Sequence, residues 1–390
     1  MTQDQLIHRY DAVMMNAFGA PKRVFARGEG VHVWDADGRR YTDLLSGIAV
    51  LALGHANPAV TRAITDQLHQ LGHVSNFFAS EPQIRLAERL AALTGAAETR
   101  VFFANSGTEA NEAAFKITRL TRRTRIIAME GSFHGRTMGA LALTSSEKYR
   151  APFEPLPGDV TFVPFGDAPA LAAAVDETVA AVILETVQGE NGVVPVPAGF
   201  LAEARRITRE AGALLWIDEV QTGMGRSGEY LAHRADGIVA DLVTLAKGLG
   251  NGFPIGACLA SGPAAGLITP GLHGTTFGGN PVAAAAGNAV LDQLEGGVLE
   301  NARAVGAWLA DAIRELGHPK IAEVRGRGLL LGVVLTEDIA PRVADAALEA
   351  GWIINAPRPG VLRVAPPLIS TREDLEGFVA VLPGLLDAHG

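Results

Sequence analysis

The middle of the chain repeats one pattern, in which a short and almost entirely apolar run is followed by a stretch with helical periodicity. Short apolar runs with polar flanks are typical of strands that are buried on both faces of a sheet. Six such strands are predicted, at residues 101–104, 126–129, 160–163, 179–184, 213–217 and 242–246. Because strands alternate with helices, we expect an α/β fold with a mostly parallel sheet covered on both faces.

One predicted helix, between the fourth and fifth strands, has well-marked ends. Pro197 suits its first turn, and Gly212 follows its last turn. Its apolar side chains have the three-and-four spacing of one helix face: Phe200, Leu201, Ala204 and Ile207. A helix at this place is what a crossover between two parallel strands requires.

The two ends of the chain follow a different pattern. Residues 31–34 and 40–44 flank Asp37-Gly38, which is a signal for a β-hairpin. After about Leu291 the sequence predicts two amphipathic helices, at 302–316 and 341–350. It also predicts two strands, at 327–335 and 361–364. We therefore predict a large domain at 48–287 and a smaller α+β domain at 288–390, with the N-terminal segment 1–47 packed against the small domain.

Composition and charge exclude several classes of protein. Apolar residues make up 48% of the chain and charged residues 19%, which excludes a disordered chain and allows a large buried core. The 33 basic and 42 acidic residues give a formal charge of −9, which disfavours nucleic acid or an anionic membrane as a partner. The single cysteine, Cys258, excludes an internal disulfide and is expected to be a buried, inert thiol. The first thirty residues show no secretory signal, so we expect a cytoplasmic protein.

One long segment is free of charged side chains. No Asp, Glu, Lys or Arg occurs from Gly248 to Leu291. Repeated glycine and proline residues interrupt this segment, so it is not expected to form a membrane-spanning helix. We expect it to be buried in a site or between subunits.

A candidate anion site follows the first predicted strand, in the segment Asn105-Ser-Gly-Thr-Glu-Ala-Asn111. Ser106 and Glu109 have the spacing of a capping box, so a helix should begin here. Gly107 would let an anion approach the backbone, and the helix dipole favours a phosphate at this end. For this segment alone, a capped helix without a ligand remains the alternative.

Two charged residues stand at the ends of apolar strands. Asp218 ends the fifth strand, where a carboxylate is costly unless it meets a cation such as a protonated pyridine nitrogen. Lys247 follows the sixth strand, where desolvation would lower the pKa of its amine from ~10.4 and make it a usable nucleophile for a Schiff base. The alternatives are a structural ion pair for Asp218 and a lysine that extends to solvent for Lys247.

The segment Gly223-Met-Gly-Arg-Ser-Gly228 matches the dinucleotide pattern GxGxxG. That pattern is diagnostic when the first glycine directly follows a strand and the last opens a helix. Here residues 219–222 intervene, and the residues after Gly228 have weak helical definition. The context thus speaks against a dinucleotide site. Asp241 does lie near the distance at which an acidic residue is expected, so a nicotinamide-dependent oxidoreductase is kept as the alternative function.

Together, a phosphate-binding helix start, a strand-end aspartate and a strand-end lysine meet the needs of pyridoxal phosphate. The motifs that contain them resemble the class III, or ornithine-type, aminotransferases over about residues 31–367, in the family's order: Asn105-Ser-Gly-Thr-Glu-Ala-Asn111, Ser132-Phe-His-Gly-Arg136, Glu185-Thr-Val-Gln-Gly-Glu190, Ile217-Asp-Glu-Val-Gln-Thr-Gly-Met-Gly-Arg226, Leu245-Ala-Lys-Gly248 and His273-Gly-Thr-Thr-Phe-Gly-Gly-Asn-Pro281. The resemblance implies the type I fold of pyridoxal-phosphate-dependent transferases, with shared active sites in a homodimer.

The resemblance also implies roles for individual residues in holding the cofactor. Lys247 would bind it covalently and shuttle a proton, and Asp218 would keep its ring nitrogen protonated. Gln221 would contact the ring hydroxyl, and Phe133 would stack on the ring. The remaining implied cofactor residues are Ser106, Gly107 and Thr108 around the phosphate, Thr276 from the partner subunit, and Glu185, Glu219 and Val220 around the site. No metal is implied.

Substrate carboxylates would be bound by two arginines, whose planar fork suits a carboxylate. Arg136, helped by Thr275, is matched to the residue that binds the donor's α-carboxylate. Arg363 is matched to the residue that binds 2-oxoglutarate and glutamate, and Glu190 would pair with it while the donor is bound. Within the class the sequence most resembles the acetylornithine type, which implies N2-acetyl-L-ornithine as donor; ornithine, succinylornithine, 4-aminobutyrate and a lysine-pathway amine are the alternatives.

Overall fold

The computed structural model describes residues 1–388 of the chain. Seventeen strands are present in this part, numbered in chain order: β1 Phe25–Glu29, β2 His32–Asp35, β3 Arg40–Asp43, β4 Thr99–Ala104, β5 Arg125–Met129, β6 Asp159–Val163, β7 Val179–Glu185, β8 Val187–Gln188, β9 Val194–Pro195, β10 Leu214–Asp218, β11 Leu242–Leu245, β12 Gly256–Ser261, β13 Ile321–Arg327, β14 Leu330–Leu335, β15 Trp352–Ile353, β16 Asn355–Arg358 and β17 Val361–Val364.

Twelve right-handed α-helices connect or cover these strands in the described part of the chain: α1 Gln3–Val13, α2 Pro58–Gln70, α3 Glu81–Leu93, α4 Gly107–Leu120, α5 Met138–Ala142, α6 Glu147–Arg150, α7 Ala168–Ala174, α8 Phe200–Ala211, α9 Pro281–Gln293, α10 Leu299–Glu315, α11 Ala340–Glu349 and α12 Arg372–Asp387. The helical segment Ser46–Ala49 differs from them because all four residues have positive φ, so it forms a left-handed turn. Within residues 1–388, no helix combines the length and the apolar character needed to cross a bilayer.

A seven-stranded sheet forms the centre of the molecule, with strand order β4-β12-β11-β10-β7-β5-β6. The predicted mostly parallel sheet is confirmed, since six strands run in one direction and β12 is antiparallel to both neighbours. All six predicted strands are present. The strand β12 was not predicted because it lies in the charge-free segment, where glycine and proline residues mask the strand pattern.

The helix predicted between the fourth and fifth strands is α8, which packs against the apolar face of the sheet through the four predicted side chains. It begins at Phe200 rather than in the turn of Pro197, because Gly199 has a left-handed conformation at the helix N-terminus. Gly212 is also left-handed and ends the helix as predicted.

Two four-stranded sheets lie outside the central sheet. The predicted N-terminal hairpin is confirmed as β2 and β3, which pair antiparallel, and β15 from the C-terminal region adds to β3 in parallel. The second sheet has the order β13-β14-β17-β16 with antiparallel neighbours. The strand predicted at 327–335 is confirmed from Leu330 onwards, as β14, but its start is wrong, because Gly328, with φ of 56°, turns the chain between β13 and β14.

The C-terminal helices occupy the predicted places, with α10 and α11 covering the second sheet. The pairing of β15 with β3 joins the N-terminal segment to the C-terminal region of the chain. The proposed domain limits at 47/48 and 287/288 stay predictions, and the second limit falls inside α9.

The dinucleotide pattern does not form the strand–glycine–helix unit that it would require. Residues 223–228 form consecutive turns, and the next helical segment is the short 3₁₀ turn Ala232–Asp236. Asp241 lies at the start of β11, where its carboxylate accepts hydrogen bonds from Arg205 and from the N–H of Leu215. The acidic residue of the pattern is thus used in packing at the opposite edge of the sheet from the strand ends Asp218 and Leu245.

Candidate active site

A cavity of about 390 Å³ opens at the carboxyl edge of the central sheet. The neighbouring strands β7, β10 and β11 end there, at Glu185, Asp218 and Leu245. Because parallel strands end at the same edge, side chains that are distant in sequence converge. Ten of the predicted site residues line this cavity: Ser106, Gly107, Thr108, Phe133, Arg136, Glu185, Asp218, Val220, Gln221 and Lys247.

The N-terminus of helix α4 forms one wall of the cavity. The Ser106 hydroxyl accepts a hydrogen bond from the N–H of Glu109, as predicted for a helix cap. The reciprocal half of the predicted capping box is shifted, because the Glu109 carboxylate accepts from the N–H and the side chain of Asn105. The N–H groups of Gly107 and Thr108 have no acceptor within residues 1–388, so this end of the helix can bind an anion.

Close packing explains why glycine occupies two positions around this helix start. A Cβ atom at Gly107 would lie 2.7 Å from Cγ1 of Val220. Gly135 has φ of 140°, and a Cβ there would lie 2.3 Å from Oγ1 of Thr108. Larger residues at these positions would therefore displace side chains that line the cavity.

Asp218 is nearly fully buried and is held by three hydrogen-bond donors. Its Oδ2 accepts from Nδ2 of Asn111 at 2.9 Å and lies 2.7 Å from Nδ1 of His134, while Oδ1 accepts from the N–H of Val220 at 2.9 Å. Since an ionised carboxylate only accepts, His134 carries its proton on Nδ1 in this arrangement. These three donors fix the orientation of a carboxylate that borders the cavity.

Lys247 follows β11 in a left-handed conformation, with φ of 44°, and its side chain is half-buried at the cavity. Desolvation lowers the pKa of Lys247 from 10.5 to about 8, even though Glu190, Asp218 and Glu185 oppose this effect. With a pKa of about 8, about a tenth of this amine is neutral at pH 7, and the neutral form is the one that can act as nucleophile or base.

Glu185 ends β7 on the other side of Asp218. Its Oε1 accepts the N–H of Phe133 at 3.1 Å, which fixes the start of the Phe133 loop. Burial, and then the negative charge of Asp218, raise the pKa of Glu185 well above its usual range. Both causes act in the same direction, because each disfavours the ionised form of this carboxyl.

Arg363 and Glu190 lie behind Gln221, which lines the cavity. Nη1 of Arg363 donates to Oε1 of Glu190 at 2.5 Å and to Oε1 of Gln221 at 3.1 Å, and Nε donates to Oδ1 of Asn355 at 3.0 Å. The Arg363 side chain is 1% exposed, and its Nη2 has no hydrogen-bond partner in the described part of the chain. Burial would raise the pKa of Glu190, but the guanidinium outweighs burial and holds it below the ordinary value.

Arg136 has a different environment, because its partners are aromatic rings. Its guanidinium carbon lies 3.6 Å from the ring centroid of Tyr149 and 5.5 Å from that of Phe133. Arg136 is exposed, and no carboxylate of residues 1–388 pairs with it. It is thus a fixed cation that is available to an anion from solution.

Besides Arg363, four more of the predicted residues are absent from the cavity lining. Glu219 points away from it, because its carboxylate accepts from the N–H groups of Ala232 and His233 and from Oγ1 of Thr222. Thr275 lies beside the helix start, where its hydroxyl accepts from the N–H of Gly278. The other two are Thr276, which is exposed on the far side of that loop, and Glu190.

Sequence reasoning missed four residues that position the site: Asn111, His134, Tyr149 and Asn355. Asn111 and His134 lie inside motifs that we quoted, but only the fold shows that both side chains reach Asp218. Tyr149 and Asn355 are outside those motifs, and the sequence carries no signal for their contacts with arginines.

Comparison with known proteins agrees with this arrangement. Residues 15–385 match the family described as aminotransferase class III. The chain belongs to the class III aminotransferases. As a member of that family it is an enzyme of the transferase class, and the nicotinamide alternative is wrong.

Individual relatives cover nearly the whole chain. The acetylornithine aminotransferase of Mycobacterium tuberculosis H37Rv is 59% identical over 381 residues, which are 97% of this chain and 95% of that protein. Among solved structures, the N-acetylornithine aminotransferase of Stenotrophomonas maltophilia K279a is 37% identical with a TM-score of 0.83, covering 98% of both chains. An ornithine aminotransferase of Toxoplasma gondii, described with partial occupancy of PLP at its active site, is 31% identical with a TM-score of 0.93, covering 100% of this chain and 95% of that one. The predicted type I fold of pyridoxal-phosphate-dependent transferases is therefore confirmed.

Proposed function

We propose that this enzyme uses pyridoxal phosphate to move the δ-amino group of N2-acetyl-L-ornithine to 2-oxoglutarate. The products would be N-acetyl-L-glutamate 5-semialdehyde and L-glutamate, and the reaction would serve arginine biosynthesis. The observation that supports the chemistry best is the convergence of Lys247, Asp218 and the start of helix α4 on one cavity.

The residues around the cavity fit pyridoxal phosphate in three respects. The N–H groups of Gly107 and Thr108, which have no acceptor in the described chain, suit the phosphate. The Asp218 carboxylate, fixed by three donors, suits a protonated ring nitrogen. The Lys247 amine suits the aldehyde group, and Phe133 offers a ring face. When bound, this cofactor supplies a conjugated cationic ring that withdraws electrons from the carbon bearing the transferred amine.

Lys247 has two proposed tasks, to hold the cofactor covalently and to move a proton during transfer. The lowered pKa of its amine, about 8, supports both, because a neutral amine is required for each. Asp218 would accept a hydrogen bond from the ring nitrogen and keep that nitrogen protonated. Glu185, whose pKa is raised by burial, would hold the Phe133 loop in place.

Two arginines would bind the substrate carboxylates. Arg136, which faces solution without a carboxylate partner in the described chain, would bind the α-carboxylate of the donor. Thr275, whose hydroxyl accepts a hydrogen bond from Nδ2 of Asn105, would help it. Arg363 would bind 2-oxoglutarate and glutamate after Glu190 releases it. The unpartnered Nη2 of Arg363 supports this role, because a buried guanidinium N–H without an acceptor is costly.

The choice of donor rests on the relatives. The acetylornithine aminotransferases of Mycobacterium tuberculosis and Streptomyces coelicolor are 59% and 54% identical to this chain. The ornithine aminotransferase of Toxoplasma gondii is only 31% identical. N-acetylornithine is therefore a better supported donor than ornithine, succinylornithine, 4-aminobutyrate or a lysine-pathway amine.

We propose that the active enzyme is a cytoplasmic homodimer with shared active sites. Thr276 is exposed and outside the cavity of its own chain, so it could reach a phosphate only in a partner's site. Large apolar side chains near this loop are also exposed, Phe77 by 93% and Phe277 by 59%. Exposed aromatic patches of this kind are typical of surfaces that bind another chain.

The first test is an absorbance experiment on the purified protein loaded with pyridoxal phosphate. We expect a visible band from the bound cofactor that is lost when N-acetylornithine alone is added and returns with 2-oxoglutarate. A band that is lost only with another amine would replace the donor. No band, even after soaking with the cofactor, would contradict the proposed cofactor.

Lys247→Ala is the matched variant for this experiment. We expect it to abolish turnover and the visible band, because no other amine of the described chain lines the cavity. Circular dichroism and thermal unfolding should show a folded protein. Retained transamination by Lys247→Ala would contradict the proposed mechanism.

A further inference from the structure

A second cavity of about 460 Å³ lies beside the active site, between the central sheet and the second four-stranded sheet. Phe133 lines both cavities, and Glu190 borders the second one. On the large-sheet side the second cavity is lined by Tyr149, whose ring stacks with Arg136, and on the other side by Arg358 at the end of β16. One aromatic side chain thus separates Arg136 from this space.

The polar groups of the second cavity are only partly used. Nη2 of Arg358 donates to Oδ1 of Asn191 at 2.7 Å, and its other N–H groups have no acceptor within residues 1–388. Ser146 precedes helix α6 without capping it through its side chain, and within residues 1–388 neither the Ser146 hydroxyl nor the Tyr149 hydroxyl, both in the cavity lining, makes a hydrogen bond. The cavity therefore offers N–H donors from one wall and hydroxyl groups from the other.

The charges of the lining suit a neutral polar group. Glu190 is engaged with Arg363, so Arg358 and the exposed Glu130 are the charged groups that remain. A secondary amide needs one donor for its carbonyl oxygen and one acceptor for its N–H. Arg358 can supply the donor, and the Tyr149 or Ser146 hydroxyl can supply the acceptor.

We propose that this second cavity is the subsite for the acylamino group of the donor, with Arg358 donating to the acyl carbonyl. This inference rests on the proposed function. The α-carboxylate and the acylated nitrogen of an N-acylamino acid share one carbon atom, so a carboxylate on Arg136 brings the amide next to Tyr149. The free α-ammonium of an unacylated donor would instead meet the guanidinium of Arg358, which stays charged. Arg358 therefore both binds the acylated donor and disfavours the unacylated one.

The test compares two donors in steady-state kinetics of the cofactor-loaded enzyme. Arg358→Ala is expected to raise KM for N-acetylornithine about tenfold, the factor for one lost hydrogen bond to a charged donor. It should leave KM for ornithine unchanged or lower it, and leave KM for 2-oxoglutarate unchanged. Tyr149→Phe, which keeps the ring under Arg136, should raise only KM for N-acetylornithine, by a smaller factor. Arg342→Ala, at an exposed arginine of α11, is the control and should change none of these values.

Several results would overturn the inference. They are an equal rise of KM for both donors, no rise for either, or a change in KM for 2-oxoglutarate that would indicate a disturbed Arg363–Glu190 pair. A selective loss of ornithine turnover in Glu130→Gln, with Arg358→Ala inert, would show that the cavity binds an ammonium group. If the unaltered enzyme itself does not use N-acetylornithine, the proposed function falls and this inference falls with it.

Discussion

A buried arginine can bind a substrate carboxylate if the protein carboxylate that pairs with it in the absence of substrate can move away. Arg363 is 1% exposed and is engaged by Gln221, Asn355 and Glu190. Of these partners only Glu190 is charged, and its side chain remains 34% exposed. Glu190 can therefore move to solvent when a carboxylate from the substrate takes its place, whereas the two amides can stay.

Glu190→Gln tests this exchange. We expect KM for 2-oxoglutarate to fall about tenfold, because the keto acid no longer competes with a charge-assisted hydrogen bond of about 1.5 kcal/mol. The half-reaction with N-acetylornithine should slow, because an uncompensated Arg363 would face the donor's ammonium group. Stopped-flow measurement of each half-reaction separates the two effects. Equal changes in both half-reactions would argue against an exchange at Arg363.

The pKa of Lys247 leads to a pH prediction for the cofactor-free enzyme. Burial lowers that pKa from 10.5 to about 8, and only the neutral amine can attack the aldehyde of the cofactor. The rate of reloading with pyridoxal phosphate, followed by absorbance, should therefore rise with pH and level off above about 8. Glu190 raises the pKa of Lys247, so Glu190→Gln should move the midpoint to lower pH. A midpoint near 10.5 would show that the amine is not desolvated.

At the residue scale, the sequence predicts reacting groups better than it predicts their supports. Asp218 and Lys247 could be found because a charge at the end of an apolar strand is conspicuous. Glu219 stands beside Asp218 and has the same chemistry, but the chain direction turns it towards Ala232 and His233. His134 and Asn111 reach Asp218 only after β5 and α4 have folded, so no local pattern predicts those contacts.

Helix α4 shows how an element as a whole sets the site. Its first residue, Gly107, packs against Val220, which comes from the loop after β10. The anion-binding N–H groups and the loop of Asp218 are thus held at a distance that leaves no room for a methyl group. The position of the helix relative to the sheet, rather than its sequence alone, makes Gly107 necessary.

Gly107→Ala should therefore damage the site although alanine favours helices. The added Cβ would lie 2.7 Å from Val220 Cγ1 and force the valine to move, at a cost of about 1–3 kcal/mol that outweighs a gain in helix propensity of at most ~1 kcal/mol. We expect the affinity for pyridoxal phosphate to fall at least about tenfold by equilibrium titration, since ~1.4 kcal/mol corresponds to that factor. Gly384→Ala in α12, where a Cβ meets nothing within 4 Å, is the control and should bind the cofactor normally. Unchanged affinity in Gly107→Ala would contradict the close packing.

Helices and strands could be predicted where their apolar residues follow a regular pattern, and they were missed where glycine interrupts that pattern. The six parallel strands are continuous apolar runs, so their presence and approximate bounds could be predicted, whereas their order in the sheet was not. The antiparallel strand β12 begins at Gly256, where a Cβ would lie 2.2 Å from the carbonyl oxygen of Ser106. Glycine is needed there for the close approach of the helix start, and it gives the strand the appearance of a loop in the sequence.

At the scale of the whole molecule, two arginines join the central sheet to the second four-stranded sheet, one contributed by each side. Arg325 on β13 donates to the carbonyl oxygens of Gly192 and Val193, just after Glu190. Arg226, from the loop after β10, donates to the carbonyl oxygens of Leu329 and Pro366. Arg325 thus anchors the chain just after Glu190, and Arg226 anchors the chain just after Arg363.

Arg226→Met should separate stability from function. Two hydrogen bonds from a charged donor stabilise by about 3–6 kcal/mol, but burial lowers the pKa of Arg226 from 12.5 to about 9, which corresponds to a cost of about 5 kcal/mol for keeping the charge. These effects nearly cancel, so the free energy of unfolding in urea should change by less than about 2 kcal/mol in either direction. KM for 2-oxoglutarate should rise several-fold, because the carbonyl of Pro366, three residues after Arg363, loses its anchor. A large loss of stability with unchanged KM would show instead that Arg226 serves the fold and not the position of Arg363.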